Sequence, residues 1–203
     1  MITCFSVIRN RTIILNGKVL FEDHSGNLGD FLISAYSFLK INYPKFYKMD
    51  TLSKLGLLAS EVLLKDRKLA EQFGPENISL VLSNSNSSSD TDIRYAETAK
   101  TMGSPALFVY TLPNIVAGEI CIRQKIKGEN AFFVSPGFDP QWMADYVDMA
   151  SVNSGAQATL GGWVDVLEEH HDVFLYLHEN KSTGLSHTAG KLKELYSTAL
   201  WNN

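Results

Sequence analysis

Few residues in this chain have the types and spacing that chemistry needs. Cys4 and Cys121 sit in apolar surroundings without CxxC spacing, which fits reduced thiols and argues against a disulfide scaffold. Glu168-Glu169-His170-His171 gathers metal-capable side chains, but adjacent residues on a turn do not all face one ion, so the stretch reads as a solvated loop. His178 and His187 stand apart and lack HExxH spacing, so each reads as a packed or exposed singleton. Asp139 and Asp145 resemble paired carboxylates, yet Asp139 falls where a helix wants its N-cap, and that role accounts for it more simply. GxSxG, GxxxxGKS/T and GxGxxG are absent, so hydrolase, nucleotide-triphosphatase and dinucleotide readings have no anchor. Neither a metal nor a cofactor is called for.

The elements that must position these residues alternate in type. From Ile2 to Glu22 a rough apolar alternation around Asn16-Gly17 predicts a β-hairpin. Asn27 is placed to cap a helix through Leu39, with Pro44 as its break, and Asp50 to cap a second whose Leu52, Leu55, Leu58, Ala59 and Val62 share one face. Ile78 to Leu82 reads as a strand covered on both faces, and the Ser- and Asn-rich run from Ser83 to Ser89 as a mobile surface loop at its end. Helices follow at 90–101 and Asn114–Lys125, a strand at Ala131–Ser135, and a helix at Pro140–Met149. Strands at Ala156–Val166 and Val173–Leu177 and a closing helix at Lys191–Leu200 complete an α/β layered chain, expected to be a single domain over 1–203.

Composition narrows the function classes. With 203 residues, 45% of them hydrophobic, the chain can bury one sizeable core without metals or disulfides. Eighteen basic against 22 acidic residues leave a net charge of -4, so neither nucleic acid nor anionic lipid is an expected partner. No apolar run approaches the roughly 18 residues of a membrane span, and no leader pattern opens the chain, which sets the expectation of a cytoplasmic protein.

Three stretches go further, because together they resemble the N-terminal half of the β-ketoacyl-acyl-carrier-protein synthases. Tyr47-Lys-Met-Asp50 followed by Leu52-Ser-Lys-Leu55 is similar to the family segment in which an R-M-D-like turn caps a helix. Leu112-Pro-Asn-Ile-Val-Ala-Gly-Glu-Ile-Cys-Ile-Arg-Gln-Lys-Ile-Lys-Gly-Glu-Asn130 resembles the family's P-N-x-x-A-G-x-I-x-I-R-x-x-x-x-G-P-N, with Glu129 for the usual Pro. Ala158-Thr-Leu-Gly-Gly162 sits where the family has a buried strand ending in A-G-G. The resemblance implies a thiolase-like N-terminal half, a mixed five-stranded sheet layered with helices, to which the N-terminal hairpin is added.

It also implies a pairing surface and a missing nucleophile. Counted from the Gly128-Glu-Asn130 turn, the family's nucleophilic Cys falls on Gly137, so no catalytic residue is assigned. The family's decarboxylating His pair and Lys belong to a second half not found in this sequence. By the resemblance, Asn114, Ala117, Gly118, Cys121, Phe132, Phe133 and Val134 face the two-fold axis of a dimer, and an apolar edge strand favours such a partner. Leu107, Phe108, Leu112 and Ile115 fall where the family closes the partner's acyl tunnel, with a plain core role as the alternative for Phe108. The implied function is that of a chain-length-factor-like pseudoenzyme of aryl polyene or flexirubin-type pathways. It would pair with a full-length synthase or with itself and work with acyl carrier protein. The alternatives are a stand-alone module that binds carrier protein or an acyl chain, and an enzyme whose nucleophile the sequence does not reveal.

Overall fold

The computed structural model describes residues 1–198. Its strands are β1 (Ile2–Arg9), β2 (Thr12–Leu15), β3 (Lys18–Glu22), β4 (Ile78–Asn84), β5 (Asn130–Val134), β6 (Ala158–Leu167) and β7 (His170–Glu179). Its helices are α1 (Leu28–Phe38), α2 (Thr51–Leu63), α3 (Leu69–Phe73), α4 (Ser89–Ala99), α5 (Pro105–Val109), α6 (Ile115–Gln124), α7 (Pro140–Ser154) and α8 (Ala189–Thr198). All strands join one sheet in the order β3-β2-β1-β7-β6-β4-β5. β4 pairs in parallel with β5 and β6, whereas β7 runs antiparallel to both β6 and β1.

Alternation within the buried strands divides the core in two. Ile78, Leu80 and Leu82 of β4, with Leu160 and Val164 of β6 and Leu175 and Leu177 of β7, meet α1, α2 and α6 on one face. Val81, Trp163, Phe174 and Tyr176 point the other way, onto Met143, Ala144 and Val147 of α7 and Leu192 and Leu195 of α8. Period-two alternation with both faces apolar is the pattern of a sheet covered by helices on both sides.

Local signals fix most helix starts as the sequence predicts. Asn27 and Asp30 form a reciprocal capping box on α1, and Asp50 accepts from Ser53 N at 2.9 Å to cap α2. α2 packs closely on α6 because Gly56 has no side chain: a Cβ there would come within 2.5 Å of Val116. Leu200, read into the closing helix, lies outside the described residues.

Two expectations change. The N-terminal segment makes two tight turns, Asn10-Arg11 and Asn16-Gly17, and so three strands in place of a simple hairpin. Asn10 and Arg11 both take positive φ, 46° and 55°, the geometry a two-residue hairpin turn requires and one that Arg rarely signals. Because β1 pairs with β7, these strands extend the five-stranded sheet to seven. The Glu168–His171 stretch is largely exposed, as expected of a solvated loop, but short and tied down: β7 begins at His170, Glu169 accepts from Leu28 N at 2.9 Å, and His171 Nε2 accepts from Arg11 N at 3.1 Å.

The end of β7 carries the strongest buried charge. Glu179 is fully buried and takes Arg67 in a bidentate pair at 2.6 and 2.7 Å, with Lys181 at 2.8 Å and Thr3 at 2.5 Å. Burial pushes its carboxyl up, but the hydrogen bonds from Arg67, Lys181 and Thr3 overcome this and hold it at about 2. An acid lowered in the folded state stabilises above its unfolded pKa of about 4.3 and loses that contribution as pH falls. Unfolding free energy measured by urea should therefore drop by roughly 3 kcal/mol between about pH 5 and pH 2 through this residue alone. Glu179→Gln should be less stable at neutral pH and show a correspondingly flatter acid limb.

Candidate functional site

The C-terminal ends of β4, β5 and β6 lie together because these strands are parallel neighbours. In open α/β sheets this is the end at which ligands bind. Two loops leave it. The first, Ser135 to Asp139, joins β5 to α7: Ser135 N donates to Asn84 O at 2.9 Å, and Ser135 Oγ donates to Gly137 O at 3.0 Å. Asp139 caps α7 by accepting from Gln141 N and Trp142 N, both at 3.0 Å, so the cap role is the one the structure shows. Asp145 accepts from the Gln141 side chain at 2.9 Å. Gly137 is exposed, and a Cβ added there would have no atom within 4 Å.

The second loop is the Ser- and Asn-rich run after β4, and it is tied down and not a loose surface loop. Asp165, near the end of β6, accepts from Ser85 N at 3.1 Å, Ser85 Oγ at 3.0 Å, Asn86 N at 2.9 Å and Asn86 Nδ2 at 2.8 Å. Asn84 brackets Ser87 in both directions, and Ser88 Oγ donates to Thr111 O at 2.8 Å. Sequence reasoning missed Asp165, whose signal was a lone acid at the end of an apolar strand. Beside it Asn10, Arg11, His24, Asn86, Asp172 and the Glu169–His171 turn line an open pocket of about 620 Å³.

The residues expected to face a partner divide by burial. Ala117 is 1% exposed and belongs to the chain's own core, which leaves it almost no surface to share. Asn114 is exposed at the start of α6, and Gly118 opens onto free space. Phe132 packs on the α1–α2–α6 core, whereas Phe133 turns to the other face, 4.6 Å from Trp142 and 4.9 Å from Tyr146. Val134 is 56% exposed at the sheet edge, and Ile122, on the outer side of α6, is 63% exposed.

Of the expected tunnel residues, Ile115 packs against the core and Leu107 is half-buried, but Leu112 and Phe108 are 57% and 58% exposed. Phe108, lying 5.4 Å from Tyr95, is therefore not the core residue of the alternative reading. Sequence also missed Glu119, buried in α6 and held by Tyr110 OH at 3.1 Å and Lys45 Nζ at 2.8 Å. Neither cysteine is an activated nucleophile: burial pushes the Cys4 thiol up and raises that of Cys121 to about 11.

His178 and His187, read as singletons, meet Asp148 on the other side of the sheet. His187 Nδ1 lies 2.7 Å from Asp148 Oδ1 and Nε2 3.1 Å from Tyr176 OH, and the two imidazole centroids are 4.3 Å apart. Donor atoms of Asp148, His178 and His187 all lie within 4.8 Å of one another. Burial lowers both histidines, His178 to about 4 with help from neighbouring His187 and the N-terminal ammonium. Residue spacing gave no sign of this meeting, since the three come from different elements.

No protein-family model matches the chain, and no curated protein matches it. Solved structures do. The structure titled the ishigamide ketosynthase/chain length factor superposes with a TM-score of 0.62 at 16% identity over 90% of this chain, which spans 62% of that one. The complex of the ketosynthase ApeO with its chain length factor ApeC from Xenorhabdus doucetiae gives 0.59 at 11% identity, covering 97% of this chain and 90% of the matched one. A complex of a type II polyketide synthase acyl-carrier protein with its ketosynthase, AntDE:AntF, gives 0.58 at 13% identity, covering 88% of this chain and 62% of that one. Among the described residues no helix is long and apolar enough to cross a membrane. These likenesses, over nearly the whole chain, give it the thiolase-like α/β fold of the ketosynthases and their chain length factors.

Proposed function

We propose that this chain is a non-catalytic, chain-length-factor-like subunit, a single cytoplasmic domain that pairs with a full-length β-ketoacyl synthase and shapes its acyl tunnel. The observation that carries this is Gly137: the loop from β5 into α7 is present, capped and open, but it has a glycine where the family's nucleophilic Cys would fall. Acyl transfer through a covalent intermediate needs a side chain there and a base in contact with it. The pairing is supported by two of the similar structures, which are complexes of a ketosynthase with a chain length factor or with a carrier protein. Exposed apolar side chains at Phe108, Leu112, Ile122 and Val134 support it too, being surface that a partner would cover.

Carbon–carbon bond formation assayed with the chain alone, over carrier-bound acyl and malonyl substrates, should stay at background. Gly137→Cys should not restore it, because the open space around that position holds no base and a thiol with a pKa of about 8.5 stays mostly protonated. Turnover by the unaltered chain would sink this reading.

Co-expressed with a full-length ketosynthase from the same genome, the chain should purify as a complex. Val134→Lys and Ile122→Asp should weaken that complex by at least about tenfold without lowering the melting temperature of the free chain, because both sites are exposed. A complex indifferent to both changes would place the interface elsewhere.

Phe108→Ala in the reconstituted complex should shift the product masses toward longer chains, because each buried CH₂ admitted into the space is worth roughly 0.8 kcal/mol. Exposure of Phe108 keeps the cost to the subunit small, a melting-temperature change within about 2 °C. Unchanged products with an intact complex would remove Phe108 from the tunnel.

A further inference from the structure

Asp148, His178 and His187 have no part in the pairing role. Asp148 stands on α7, His178 near the end of β7 and His187 in the segment between β7 and α8. Their donor atoms converge within 4.8 Å although the residues are far apart in the chain. The His187 side chain is 4% exposed and clamped from both sides, by Asp148 Oδ1 at 2.7 Å and Tyr176 OH at 3.1 Å. Tyr176 is itself fixed, since it lies over Gly161, where a Cβ would come within 2.6 Å of its ring. Gly161, the first glycine of the A-T-L-G-G stretch, thus makes room for the tyrosine that orients His187.

We propose that Asp148, His178 and His187 form a binding site for a divalent metal ion of the zinc class. Two imidazoles and one carboxylate suit a borderline ion and not the oxygen-seeking Mg²⁺ or Ca²⁺. Bonds of about 2.0–2.2 Å to zinc put the donors of a tetrahedral site about 3.4 Å apart. The half-exposed Asp148 has the freedom to close the remaining distance by rotation. With His187 as its Nδ1–H tautomer, Nδ1 donates to Asp148 and Tyr176 OH donates to Nε2. When the ion binds Nδ1, that proton passes to Nε2, and Tyr176 becomes its acceptor, a change a hydroxyl makes without moving. Three protein ligands leave a fourth position open on the Asp148 side. The ion would join α7 to β7 and to the segment entering α8.

The untagged full chain, titrated calorimetrically with Zn²⁺, should bind one ion, give a visible ligand-field band when Co²⁺ replaces it, and melt higher with Zn²⁺ but not with Mg²⁺. His187→Ala should abolish binding, His178→Ala and Asp148→Asn should weaken it at least about tenfold, and Tyr176→Phe should weaken it by about tenfold or more. His170→Ala, an exposed histidine of the open pocket, should change nothing. Asp148 is exposed on α7, so Asp148→Asn folds whether or not a metal binds there. Absent Zn²⁺ binding, or undiminished binding by both Asp148→Asn and His178→Ala, overturns the site. None of these readouts needs the partner synthase, so they stand or fall separately from the pairing role.

Discussion

Every residue of β4 is buried, and the strand is hydrogen-bonded in parallel on both sides, so its polar main chain is satisfied only while β5 and β6 stay in register. That constraint organises the molecule. A strand buried on both faces requires helices above and below, which α2 and α6 provide on one side and α7 on the other. Parallel pairing forces β4, β5 and β6 to release their loops at one end, and the Gly137 loop and the Asp165-held loop therefore sit side by side. The neighbourhood of these two loops is thus a consequence of sheet pairing, whatever residues occupy them.

Much of this was legible in the sequence, and for local reasons. Asn27, Asp50 and Asp139 mark three helix starts because capping involves residues two or three apart. The run Ile78–Leu82, apolar but for Ser79, identifies a strand buried on both faces because such a strand leaves little room for polar side chains. Asn10-Arg11 escaped because nothing in an Arg announces positive φ; the strand pairing imposes it. The short helices α3 and α5 escaped because five residues carry too little periodicity to read.

The site was legible only where the family pattern reached. Gly137 was located by counting from a recognised turn, and it lies in the exposed loop between β5 and α7. Asp165, Glu119 and the Asp148–His178–His187 group were not found, since each acts on partners distant in sequence: Asp165 on Ser85 and Asn86, Glu119 on Tyr110 and Lys45, Asp148 on His187. Ala117 shows the converse. Its small size follows from packing inside the chain, against the α2 side of the core, and not from the approach of a second subunit.

The two thiols have one more consequence. Cys4 is buried and hydrogen-bonded toward Leu63 O, and Cys121 is largely covered, so burial keeps both protonated and slow toward alkylating reagents at neutral pH. Both thiols are therefore expected to be poor targets for maleimides and disulfide probes. A single cysteine placed in the open β5–α7 loop would stand out against that background, and a fluorophore or spin label attached there would report on whatever comes to cover that loop.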